Sequence, residues 1–468
     1  MWKCVALTLV LGACSSGSDD AVERGPRTDW ATWGFGVERH GHNPRERTIG
    51  VGNVDELRQV WRTDLGAVTN TAPMVAIDVD VRGETVDLAF VGTEHGAFFA
   101  IDVDTGDVVW KQQFETQTLE CSESPDNTFG VTAAAAIDRP ASRVYVAAAD
   151  GKTHALDLAT GAEADGWPVT IADNPAVDFV WSAPTLWDGR LYVGTASHCE
   201  LGPREGRIAV IDTRTAQTTQ VFWISGEGPP IGGSVWGWGG VSVDPRTNDV
   251  FAVTGNVKNF PENILFGDQV IRLDRNLRPL AANSPPAVGV DDDFGSTPVL
   301  FQRAGCPPQL ATMRKHGALY LYDRDAIDAG PRQTIDVSGE PYRFMGVPAF
   351  WPDENLLFVA NPTQPPDASY THGMIAFELA ADCRLKLAWQ KTSGRDDSVV
   401  SAPTVANGLV YYGDGMGNQV HAFNARTGER LWSSAADAVE GAVFAAPVVV
   451  NGTVLAAAWD GRLHAWRT

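Results

Sequence analysis

Apolar positions along this chain recur every second residue in short runs, and stripes at helical spacing are rare. The stretch VGTEHGAFFAIDVDTGDVVWKQQF (Val91–Phe114) contains the pattern in full. A strand ends in a Gly-containing turn, a second closes on AID, and an Asp/Thr-Gly turn leads to a third that carries a Trp. Turn glycines supply positive φ, and period-two alternation marks half-buried strands. Related copies appear at VAAADGKTHALDLATGAEADGWPV, around Arg207–Gln217, and at ALYLYDRDAI, MIAFELAADCRLKLAW, VHAFNARTGERLW and DGRLHAW. Most follow a small-residue start such as TAPMVAID, SAPTLWDG, STPVLFQ, SAPTVANG or AAPVVVNG.

Trp61, Trp110, Trp167, Trp223, Trp389 and Trp432 mark the last strand of six units. Two degenerate units, near Arg278 and Thr334, fill the gap between Trp223 and Trp389. Eight units of four strands, at a period of roughly 45–55 residues, predict an all-β, eight-bladed β-propeller of antiparallel blades. Gly441–Thr468 offers three strands with no fourth, and Glu56–Asp64 offers a fourth with no partners. Joining them closes the ring and removes an exposed edge.

Composition changes this picture little. The 468 residues are rich in Gly and Trp, which suits strands and tight turns. The formal net charge of −22 excludes nucleic acid as a partner, because a phosphate backbone needs a basic surface. The N-terminus adds an address. Met1–Lys3 is positive, Val5–Leu11 is apolar but too short to span a bilayer, and LGAC then SSGSDD follow. This resembles a bacterial lipobox, with Cys14 lipidated. The expected organisation is a signal peptide over residues 1–13, a lipidated flexible tether over 14–28 and the propeller over 29–468. The protein is therefore expected at the cell envelope, on the periplasmic side of the outer membrane in a Gram-negative host, with its anchor as the only membrane contact. Of the later cysteines, Cys121, Cys199, Cys306 and Cys383, none forms a CxxC or CxxCH pattern. An even count in an exported chain predicts up to two disulfides, and covalent haem is not expected.

Candidate chemistry lies between His198 and Gly317, in SHCELG, GGSVWGWGG, VTGN, DDDFG and RKHG. Successive strands of a blade run in opposite directions. The turn between second and third strands therefore shares a face with the loop leading into the next blade. Glu200, Asn256 and Lys315 fall in second-to-third turns; Trp238 and Asp293 fall in lead-in loops. All five are predicted on one face, in three consecutive blades. Two carboxylates and an amide oxygen suit a hard cation such as Ca²⁺. Lysine holds carboxylate or quinone oxygens beside such an ion, and Trp offers a flat face to a planar cofactor. Singly, each residue has an ordinary explanation: Asn256 as a turn residue, Lys315 as a surface charge, Glu200 as a partner of Arg204.

Together these motifs resemble the quinoprotein alcohol dehydrogenases, eight-bladed propellers that use pyrroloquinoline quinone (PQQ) and Ca²⁺. The similarity covers nearly all of the chain after the tether, opening with DWATWGFG and VGNVDELRQVW. It implies Glu200, Asn256 and Asp293 as Ca²⁺ ligands, Asp293 also as general base, and Lys315 and Trp238 as PQQ contacts. It also implies an alcohol substrate, small or polymeric, and an external electron acceptor such as cytochrome c. In style the chain is similar to compact polyvinyl-alcohol-dehydrogenase-like members. Three departures stand out. There is no Cys-Cys pair, for which a Cys121–Cys199 disulfide is the expected substitute. DDDFG lacks the usual preceding Trp, which leaves Asp292 as an alternative to Asp293. The chain is also shorter than the large methanol-type enzymes. Trp236 is the rival to Trp238 if the loop carries an insertion. Outside the enzymes, the outer-membrane barrel-assembly lipoprotein is also a lipidated propeller of similar repeats, so a non-catalytic scaffold is the alternative reading.

Overall fold

Eight blades of four antiparallel strands arranged as a ring make up the computed structural model, and in one of them His42–Asn43 adds a fifth, parallel strand beside Thr404–Ala406. It describes residues 26–120, 126–197, 204, 206–226, 232–256, 265–288, 292–338, 346–393, 401–437 and 439–468. Cys14, Cys121, Cys199 and Glu200 lie outside them. Blades 1 to 7 span residues 74–113, 136–170, 185–223, 242–283, 299–336, 349–392 and 404–433. Blade 8 takes its three inner strands from residues 448–467 and its outer strand from Arg58–Asp64. The ring is thus closed by the N-terminal strand, as the repeat count predicts.

The burial pattern explains the strand order. Second strands such as Leu356–Asn361 are buried throughout, because neighbouring blades cover both faces. Outer strands such as Arg58–Asp64 alternate exposed and half-buried positions. Several of the repeat tryptophans fasten their blade to the next. Trp61 donates its indole N–H to Val103 O at 2.9 Å, Trp110 to Leu158 O at 2.9 Å and Trp389 to Ala425 O at 3.0 Å. A glycine is required beneath each ring: a Cβ on Gly106, which has φ +79°, would stand 2.8 Å from Trp61. A disulfide between Cys306 and Cys383 ties blade 5 to blade 6.

The segment from Asp29 to Glu46 does more than lead into the repeats. It runs through the centre of the ring and bonds to the innermost strand of every blade. Trp30 pairs with Val75, and Ala31 O accepts from Ile137 N at 2.8 Å. Arg39 donates to Thr185 Oγ1 of blade 3. Carbonyls of Val37, Glu38, His40 and Gly41 accept from Val243, Leu300, Phe350 and Val405 at 2.7–2.9 Å. Asn43 Nδ2 reaches Val449 O at 2.8 Å, which completes the circuit at blade 8. The fully buried Arg39 guanidinium has only neutral acceptors, Thr32, Trp33, Thr185 and Val241, among the described residues. Burial brings its pKa down to about 9.

This strap carries a pH dependence. Burial, above all, drops His40 and His42 from 6.5 to about 4. Both stay neutral in the folded ring above that value, whereas the unfolded chain takes up protons below pH ~6.5. The stability they contribute is full above 6.5 and is lost as pH falls toward 4. Denaturant titrations should show a decline on the order of 3 kcal/mol per histidine across that window. His40→Gln with His42→Gln should flatten the curve there.

Candidate active site

Asp293 sits in the loop leading into blade 5 and is 3% exposed. Its Oδ2 accepts from the Trp236 indole at 2.8 Å and from the Asn256 backbone N–H at 3.3 Å. Its Oδ1 lies 2.8 Å from Lys315 Nζ. The Lys315 backbone N–H donates to Asp293 O at 3.0 Å, so lead-in loop and turn are clasped twice. Lys315 Nζ also stands 5.0 Å over the Trp236 ring, a cation–π contact. Glycines make these approaches possible. A Cβ on Gly255 would lie 1.8 Å from Ser234 Oγ and 3.0 Å from Asp293 Oδ2, and one on Gly295 would lie 2.5 Å from Trp236.

Asp292 points elsewhere. It bonds the His316 ring, receives Val288 N–H at 2.7 Å and faces Arg314 Nη1 at 3.4 Å. Burial acts against its charge, yet the bonds from His316 and Val288, with the His316 and Arg314 charges, hold it below the usual carboxylate range. Asp292 and Arg314 have side chains 1% and 0% exposed. Asp292 therefore neutralises a buried guanidinium, while Asp293 faces the lysine on the site side.

The structure brings Trp236, Asn256, Asp293 and Lys315 into contact. Trp238 turns toward the central channel instead. It packs at 5.4 Å on Trp181 and, with Trp33 of the strap, Asn70, Thr132 and Phe444, lines a small cavity there. Two polar groups on this face escaped the sequence reading. Glu94, in the second-to-third turn of blade 1, accepts from Asn70 Nδ2 at 2.8 Å and Thr132 Oγ1 at 2.6 Å. Asn361 of blade 6 donates to Thr363 O and Thr371 O, while its buried Oδ1 has no donor among the described residues. Loop class was the available signal, because both occupy the turn type that singled out Asn256 and Lys315.

Residues 30–198 match the PQQ family model described as the β-propeller domain of glucose, ethanol and alcohol dehydrogenases. The match takes in the strap, the first two blades and the inner strands of the third. Residues 384–468 match a second model, that of the outer membrane protein assembly factor BamB. A polyvinylalcohol dehydrogenase from Pseudomonas sp. is 23% identical over 337 residues, covering 63% of this chain and 49% of that one. Another, from Sphingopyxis sp. (strain 113P3), is 23% identical over 356 residues, covering 66% and 51%. The chain spans about half the length of the curated relatives it matches. Among solved structures, a quinohemoprotein alcohol dehydrogenase from Pseudomonas putida HK5 superposes with a TM-score of 0.72 at 15% identity. The match covers 94% of this chain and 80% of that one, a likeness of fold.

The residues present fit PQQ, the group for which the matched model is named. Asp293 Oδ1 is buried beside the Lys315 ammonium and has no hydrogen-bond donor besides it among the described residues, Lys315 is 18% exposed, and Trp238 offers an aromatic plane on the channel side. Among the described residues no cluster of three or more His, Cys, Asp or Glu converges as a metal site. A hard cation here needs oxygens from Asp293, Asn256 and a further residue.

Proposed function

We propose that this propeller oxidises an alcohol with PQQ and Ca²⁺ and passes the electrons to a separate acceptor. The observation that carries the reading is Asp293, buried between an indole N–H, a backbone N–H and the Lys315 ammonium on the site face. When bound, PQQ supplies the carbonyl that accepts hydride, and Ca²⁺ the Lewis acidity that polarises it. Glu200, Asn256 and Asp293 would hold the cation, Lys315 would serve the cofactor's oxygens, and Trp238 would supply its aromatic contact from the channel side. Asp293 takes the hydroxyl proton as the alcohol gives up its hydride, which leaves an aldehyde or ketone. The Trp236 and Asn256 N–H groups fix one carboxylate oxygen and so aim the other. The acceptor in this reading is a separate redox protein such as cytochrome c. A lipidated Cys14 at the end of a signal peptide places the enzyme at the cell envelope.

The match of residues 384–468 to BamB favours a second reading, a non-catalytic scaffold. That stretch belongs to blades 6 to 8, whereas Asp293, Lys315, Asn256 and Trp236 belong to the loops of blades 3 to 5. A scaffold gives no reason for their arrangement. Incubating the purified protein with PQQ and Ca²⁺ and assaying dye reduction over an alcohol panel separates the two. Turnover with a bound-quinone spectrum is expected. No spectrum and no Ca²⁺-dependent rise in melting temperature would leave the scaffold reading.

A further inference from the structure

The face opposite Asp293 carries an arginine-lined cavity of about 420 Å³ between blades 8 and 1. It lies among first-to-second and third-to-fourth turns, such as those at Asn451 and Asp104, and these turns all project from that face. Arg27, Arg45, Arg47 and Arg467 line it. Arg27 is paired with Asp78 at 2.9 Å and with Asp87, and Arg467 with Asp104 at 2.8 Å. The buried Glu46 carboxylate is turned inward, onto the backbone N–H groups of Thr48, Ile49 and Gly452 at 2.7–3.0 Å. Arg47 Nη1 meets the Glu46 carbonyl at 2.6 Å. Among the described residues no ion pair involves Arg45 or Arg47, and both are exposed. Two arginines without a carboxylate thus stand over a cavity, on a chain of formal net charge −22.

We propose that Arg45 and Arg47 bind the phosphate of an anionic membrane phospholipid and orient the propeller on the bilayer. The path of the chain supports this occupant. The described chain begins at Pro26, and Arg27 already lines the cavity. Given the anchoring of Cys14 proposed above, only the eleven residues 15–25 separate lipid from cavity, and a chain of that length spans roughly 20 Å as a random coil. At that distance the headgroups act at an effective concentration in the millimolar range, so weak sites fill. Arginine forks match phosphate oxygens. The Asp293 face then looks away from the bilayer, toward a soluble acceptor.

The full chain, purified in a non-ionic detergent, is titrated with dihexanoyl-phosphatidylglycerol, dihexanoyl-phosphatidylcholine and inorganic phosphate. Preferential binding of the anionic phosphatidylglycerol is expected. Arg45→Gln and Arg47→Gln should each weaken it about fivefold, the equivalent of ~1 kcal/mol per arginine near an anionic surface. Melting temperature should stay unchanged, and Arg246→Gln, an arginine of a blade 4 turn on the same face, should bind as the parent does. Equal binding by the double variant, or phosphate alone binding as tightly as the lipid, would overturn the proposal. Mass analysis of the N-terminal peptide tests the anchor separately. An unmodified Cys14 with arginine-dependent lipid binding would refute the anchor and keep the headgroup site.

Discussion

Asp293→Asn should lower turnover by about 10²–10⁴-fold, the range a positioned general base contributes. The exchange keeps an oxygen for the Trp236 indole, and nearly the same shape, but abolishes proton acceptance. Because Trp238 and Lys315 remain, the bound-quinone spectrum should persist. Steady-state dye reduction beside quinone absorbance reads both quantities from one sample. Retained turnover would move the base to another residue and remove the role proposed for Asp293. Loss of the spectrum together with turnover would instead show that its main work is to organise the cofactor site.

Asp292→Asn should act on the fold. Arg314 is fully buried, and Asp292 with a side chain 1% exposed is the carboxylate facing it. Removing one member of a buried ion pair costs about 3–5 kcal/mol, because the other charge stays desolvated. His316 loses its carboxylate in the same step. A lower denaturation midpoint with near-parent turnover below the transition is expected. Adding Arg314→Met, which removes the stranded charge, should restore part of the loss. If Asp292→Asn were as stable as the parent but inactive, the assignments of the two neighbouring aspartates would have to be exchanged.

That contrast shows where the sequence ceased to be legible. Blade number, the degenerate units near Arg278 and Thr334, and closure by Arg58–Asp64 could all be read, because repeats impose one local pattern many times. The face shared by Asn256, Asp293 and Lys315 also followed, since strand polarity decides it. Side-chain direction did not follow. In GGSVWGWGG the backbone passes through positive φ at Gly233 and Gly240, so periodicity says nothing of which Trp meets Asp293. The contact is made by Trp236 and the channel wall by Trp238. The strap was equally hidden. Its bonds to all eight blades come mainly from its own backbone carbonyls, a property common to every residue type.

Closure through both ends has a kinetic consequence. Trp432 donates to Leu57 O across 375 residues of sequence, and Thr28 and Asn451 bond to one another across 423. Contacts between the earliest and latest parts of the chain raise contact order, and high contact order slows folding. The strap cannot be enclosed, nor blade 8 completed, until synthesis has reached residues 448–467. A nascent chain can assemble individual blades but has no means of finishing the ring early. For a protein proposed to cross a membrane before it matures, this late commitment keeps the polypeptide threadable until translocation ends, and exposes its open blades to aggregation for the same interval.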